Sequence, residues 1–225
     1  MNNDWDTDNN AIYSRDDEQA IRNARAQGAL ITHNHPGWER TTCDMSEFQK
    51  KIYDAGLVDG VEITNGSSFY PDIVRRCVER KLYMVSATDI HAATSNVYGK
   101  HNFYRDMTLI FAKDKSEKSI KKALLSQRTL GYCGGNIIGE KSLLEKVFQA
   151  SVTAKYIATS KKGVQIALTN HTSFDYTLVY NGVKIALPAF RTVKTYVKDG
   201  DVAFCVENMI HTDFQHPTIA LKLTK

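Results

Sequence analysis

"VDGVEITNGSSFYPDIVRRCVERKLYMVSATDIH", Val58 to His91, carries the architecture of the chain in one stretch. "VDGVEITNG" reads as a strand running into a turn. "YPDIVRRCVERK" reads as a helix with Pro71 near its start, where the missing N–H costs nothing. "LYMVSATDIH" reads as the next strand. A strand, a connecting helix and a second strand predict parallel pairing with the helix packed on one face.

The same rhythm extends outward on both sides. Upstream, "SRDDEQAIRNARAQGA" predicts a helix with Ser14 as its cap, acids in the first turn and Gly28 as its stop. "ALITH" follows as a short apolar strand, and "SEFQKKIYDAG" as a helix capped by Ser46 and ended by Gly56. Downstream, "RDMTLIFAKD" reads as a fourth strand and "SEKSIKKALLSQR" as another helix. Alternation from Asp16 to about Ala150 predicts an α/β sheet or barrel with parallel strands.

After about Ser151 the texture changes to short alternating runs separated by Lys-Gly, Asn-Gly and Asp-Gly. Asn181-Gly182, between "FDYTLVY" and "VKIALP", predicts a tight hairpin, because a type I′ turn needs positive φ at both central residues. Asp199-Gly200 predicts a second. The expected layout is an α/β region over residues 1–150 and a small, immunoglobulin-like antiparallel β-sandwich over 151–225.

The composition is that of an ordinary globular chain. Its 225 residues carry a formal charge of +4 with Lys and Arg scattered, which gives no footprint for a nucleic acid. Cys43, Cys77, Cys133 and Cys205 form no C-x-x-C pair, so the expectation is free thiols in a reducing, cytoplasmic setting. "MNNDWDTDNN" has neither the basic patch nor the apolar run of a secretion signal, and no stretch is apolar enough to span a membrane.

In parallel sheets and barrels, chemistry collects at the carboxyl ends of strands. Those ends here read "HNHPG", "EITNG" and "TDIHA". Residues i and i+2 share a strand face, so His33 with His35, and Asp89 with His91, can each converge on one point. Imidazole with carboxylate suits Zn²⁺, Mn²⁺ or Fe²⁺, ions that generate hydroxide from bound water. The plainer alternative is that Asp89 caps a turn and His91 hydrogen-bonds in a loop.

"NHPGW", "GVEITNGSSFYP", "SATDIH" and "MTLIFAKD", in this order, resemble the later motifs of PHP-domain metal-dependent phosphoesterases, the polymerase and histidinol phosphatase superfamily. The likeness spans roughly residues 15 to 150. It implies a distorted β/α barrel whose strand ends bind divalent metals and hydrolyse phosphate mono- or diesters. It implies His35, Asp89 and His91 as metal ligands. His33 then falls in the pocket without being a ligand, and Glu62 is not the family's bridging glutamate. Arg105 and His101 fall near the pocket, where either can meet a phosphate oxygen.

The family's opening H-x-H motif, its bridging glutamate and its other early histidines have no counterpart, and no histidine precedes His33. The sequence therefore looks like the carboxyl-terminal portion of such a protein, with a partial barrel. The expectation is a phosphoesterase by descent that binds metal weakly, with little or no activity alone, and takes a phosphorylated small molecule if active. No nucleic-acid or membrane partner is expected. An exposed sheet edge invites self-association. Two other readings stand beside it. One is a non-catalytic interaction module whose sandwich binds a partner. The other is a single structural Zn²⁺ site of His35, Asp89 and His91, with or without His33.

Overall fold

The structure is a computed structural model of the chain that describes residues 14–38, 40, 42–66, 68–99, 104–198 and 202–225. Helix α1 (Asp17–Ala26) leads to strand β1 (Thr32–His33), α2 (Glu47–Asp54), β2 (Gly60–Asn65), β3 (Ser68–Phe69), α3 (Pro71–Arg80), β4 (Tyr83–Ala87) and the short α4 (Thr94–Tyr98). β1, β2 and β4 are parallel, with β2 in the middle, and β3 folds back antiparallel onto the end of β2. β2 is buried through its first five residues because it is covered on both faces.

Local signals explain the boundaries. Ser46 and Gln49 form a reciprocal capping box at α2, satisfying two orphan amides at once. Pro71 opens α3 as its first residue. At α1 the cap is Asp16 rather than Ser14: its carboxylate accepts from the Glu18 and Gln19 amides, while Ser14 only accepts from Asp16 N–H. A charged acceptor at the positive helix end is the stronger cap.

The fourth strand departs from the expected parallel order. β5 (Met107–Ile110), α5 (Glu117–Leu125), β6 (Thr129–Cys133), β7 (Asn136–Ile138) and α6 (Lys141–Ser151) follow β4, and β5 pairs antiparallel with β6 in a separate sheet. Side chains make the joint between the two sheets. Thr108 Oγ1 accepts from Ser86 N–H and donates to Ser86 C=O, and Thr129 Oγ1 accepts from Met84 N–H. These hydroxyls give the outer edge of β4 the partners that a further parallel strand would have supplied. β6 and β7 form a hairpin whose Gly134-Gly135 turn has φ of 56° and 84°, which only glycine adopts freely.

The tail holds β8 (Val152–Ser160), β9 (Gly163–Asn170), β10 (Tyr176–Tyr180), β11 (Val183–Leu187), β12 (Thr192–Val197), β13 (Ala203–Val206), β14 (Met209–Ile210), a 3-10 turn (Thr212–Phe214), β15 (Thr218–Ala220) and β16 (Leu223–Thr224). Two four-stranded sheets, ordered β11-β10-β13-β15 and β12-β9-β8-β16, pack over one core containing Ile166, Leu168, Leu178 and Phe204. Their pairing is antiparallel except where β16 runs parallel to β8. Asn181 and Gly182 take φ of 48° and 77° and close the β10–β11 hairpin as expected. The anticipated Asp199-Gly200 turn lies outside the described residues.

Tail and front are not separate in packing. β14 adds a parallel strand to β7, and Leu130, Tyr132 and Ile137 belong to the same buried cluster as the sandwich. The result is a mixed α/β chain with four small sheets and, among the described residues, no closed barrel.

Candidate functional site

The parallel strands end together, and the loops beyond them carry most of the residues singled out from sequence. β1 ends at His33. The chain then turns through Pro36-Gly37, closed by Trp38 N–H donating to His35 C=O at 3.0 Å. His35 itself has φ of 29°, and Asp89, two residues past β4, has φ of 49°. Positive φ is uncommon outside glycine but better tolerated by His and Asp than by most residues, and such backbone concentrates at functional loops.

Glu62 holds the His35 turn in place. Its carboxylate is only 4% exposed, and it accepts from the His35 backbone N–H and from Asn65 Nδ2. A buried carboxylate needs such donors, so Glu62 is committed to positioning the loop. The His35 ring meets the Trp38 ring edge-on at 5.4 Å. Burial first pushes the Tyr70 phenol above its usual range, with a hydrogen bond to Ser68 opposing and the Glu62 and Asp89 carboxylates adding.

His33 is differently placed. Its Nδ1 meets Tyr53 Oη at 2.8 Å and its Nε2 meets Gln49 Nε2 at 3.2 Å, so both ring nitrogens have protein partners. Burial first, and then the nearby Arg76 guanidinium, pull its pKa down to about 4. It is a neutral imidazole whose partners make Nε2 the acceptor and Nδ1 the donor.

Arg76, on α3, was not singled out from sequence. Its Nη2 donates to Cys43 C=O at 2.5 Å, and its guanidinium lies 6.0 Å from the centroid of the Tyr53 ring. Its Nη1 is buried without a partner among the described residues. Nothing in "IVRRCVER" distinguishes Arg76 from Arg75, because only folding places one beside His33 and the other beside Asp213.

His35, Asp89 and His91 are not gathered into a metal-holding set. Among the described residues no group of three or more His, Cys, Asp or Glu side chains is arranged to hold an ion. Asp89 and His91 are solvent-exposed on the loop after β4, while His35 is half-buried in the loop after β1. As placed, these side chains do not fit a metal centre. Arg105 is exposed just ahead of β5, with its charge acting on the Tyr98 phenol, and His101 lies outside the described residues.

No family model matches the chain, and no curated protein matches it. A solved structure does. It is the 2.20 Å crystal structure of a two-domain protein containing a predicted PHP-like metal-dependent phosphoesterase, from Bacteroides vulgatus ATCC 8482. The two share 29% sequence identity and superpose with a TM-score of 0.84, the match covering 96% of this chain and 68% of that one. The chain thus resembles a PHP-like two-domain protein in fold and sequence. No helix among the described residues is long and apolar enough to cross a membrane.

Proposed function

We propose that the chain belongs to a metal-dependent phosphoesterase of the PHP type, hydrolysing phosphate mono- or diesters of small molecules. The likeness to the Bacteroides vulgatus protein, extending over 96% of this chain, carries the reading. In it, β1, β2 and β4 are part of a distorted β/α barrel, residues 151–225 form its immunoglobulin-like companion, and His35, Asp89 and His91 are the metal ligands. Arg105 and His101 flank the phosphate. Arg76 supports the same reading, since its buried Nη1 beside His33 lacks the acceptor that a phosphate oxygen would provide.

Two-metal phosphoester hydrolysis needs one ion to activate water and a second to hold the leaving oxygen, typically ~3.5–4 Å apart. Three ligands that are not gathered cannot fix such a pair, so these residues alone bind a divalent ion weakly and turn over slowly. Self-association along β1, whose described pairing is to β2 only, is part of the same proposal. The ungathered ligands also favour a second reading, a non-catalytic module whose sandwich binds a partner.

The test is hydrolysis of p-nitrophenyl phosphate and its bis ester by the purified chain with Mn²⁺ or Zn²⁺. Slow, metal-dependent turnover, below ~1 s⁻¹ and abolished in His35→Ala and Asp89→Ala, is the expected result. Turnover indifferent to both substitutions and to chelator would overturn the assignment. Complete absence of metal-dependent turnover would favour the non-catalytic module.

A further inference from the structure

A cavity of about 580 Å³ opens beside the loop that carries Asp89, between α4, the β6–β7 hairpin and the 3-10 turn. Phe69, Ile90, Val97, Tyr98 and Phe214 contribute large apolar surfaces to its wall. Phe69 and Phe214 meet edge to face at 4.9 Å, and Phe214 is held there by left-handed backbone at Asp213 and Phe214, with φ of 61° and 59°. The size suits a small organic ligand, and a mainly apolar lining with a few polar groups is the usual form of such a site.

Thr88, Asn136 and Tyr98 also line the cavity, and its one acidic side chain among the described residues is Asp106. It is 4% exposed, it lines the cavity, and its Oδ2 is buried with no hydrogen-bond partner among the described residues. The Cys133 thiol and the Gly134 amide do act on the carboxyl. Burial first, then the neighbouring Asp106, pushes the Cys133 pKa up to about 12, which keeps it an S–H, and that S–H donates to Gly66 C=O at 3.6 Å. No Lys or Arg among the described residues lines the cavity. Largely apolar walls around this acid leave one oxygen without a protein donor among the described residues, a costly arrangement unless a ligand or solvent completes it.

We propose that this cavity binds a small amine: an aromatic or aliphatic body seated against Phe69, Val97 and Phe214, with its ammonium on Asp106 Oδ2. Burial raises the Asp106 pKa, with Cys133 and Gly134 opposing, and a bound cation would favour the charged carboxylate in the same way. Among the described residues no cation lines the cavity, so its charge favours a cation over a phosphate group. The assignment does not depend on phosphoester hydrolysis or on a bound metal.

The test is titration of the metal-free full chain with 2-phenylethylamine, 2-phenylethanol and phenylacetate, followed by amide ¹H–¹⁵N shifts. The amine should bind at least ~10-fold more tightly than the alcohol, as a charge-assisted hydrogen bond implies, and phenylacetate should not bind. Shifts should centre on Val97, Asp106 and Gly134. Asp106→Asn should erase the preference for amine over alcohol. Val97→Trp, at an exposed wall position that a folded chain tolerates, should block all three. Equal affinity for amine and alcohol, an unchanged preference in folded Asp106→Asn, or shifts centred elsewhere would overturn the proposal.

Discussion

The sandwich and the parallel sheet solve the same backbone problem in different ways. β9 alternates buried and half-buried residues without a break, and ladders on both sides, to β8 and β12, satisfy its backbone. β1 has two residues, and β4 completes its outer edge with threonine hydroxyls. The sandwich closes its turns with residues suited to them, such as Asn181-Gly182. The parallel strands instead open into loops where His35 and Asp89 bear positive φ and Glu62 is buried to hold one loop in place. Stability is spread along ladders in one region, while the groups suited to chemistry collect where ladders run out in the other.

That contrast breaks most sharply by removing core volume from the sandwich. Phe204 is fully buried there, and Phe204→Ala should cost ~3–5 kcal/mol, read as a lower denaturation midpoint. Because β6, β7 and the sandwich share one buried cluster, unfolding should stay a single transition. Two separate transitions would mean that the two regions are energetically independent.

A smaller loss is expected at Gly60, where β2 begins. A Cβ there would stand 2.0 Å from the Tyr83 ring, which is tethered through its hydroxyl to Thr32 Oγ1 at 2.6 Å. Gly60→Ala must displace that ring, at a cost of ~1–3 kcal/mol, and should shift the amide resonances of β1 and β4 more than those of the sandwich. Gly182→Val tests the other region. A β-branched residue at φ of 77° should lose ~1–2 kcal/mol, with slower hydrogen exchange lost along β10 and β11 only.

The least effect is in pH dependence. His211 is 7% exposed, and burial first, then Lys141, pulls its pKa below the ordinary value. The unfolded chain therefore binds that proton more tightly, and stability falls as pH drops through about 6.5. His211→Gln should lose less stability than the native chain between neutral and mildly acid pH, measured by urea denaturation. An equal loss would show that His211 titrates alike in both states.

What the sequence revealed was mostly local. Ser46 at the start of α2, Pro71 at the start of α3, and Asn181-Gly182 each act within a few residues, so they could be read directly. The turn from β5 into an antiparallel sheet could not, because it rests on Thr108 and Thr129 reaching across to Ser86 and Met84. The β6–β7 hairpin left a trace in Gly134-Gly135, whereas β14 joining β7 from the far end of the chain left none. Among site residues, those at strand ends stood out by position. Arg76 and Asp106 did not, since their burial is created by Cys43 and Tyr53 in one case and by Cys133 and Gly134 in the other.

The proposal that the loops after β1 and β4 supply metal ligands requires side chains that stand apart in this structure to come together, and zinc-edge anomalous diffraction from crystals soaked in Zn²⁺ tests it most directly. The account predicts one partly occupied peak at those strand ends. Asp89 and His91 should lie within ~2.0–2.2 Å of the ion, and the His35 loop should have moved to join them. A strand-end position without density in crystals that bind zinc at His171 or His216 instead would contradict it.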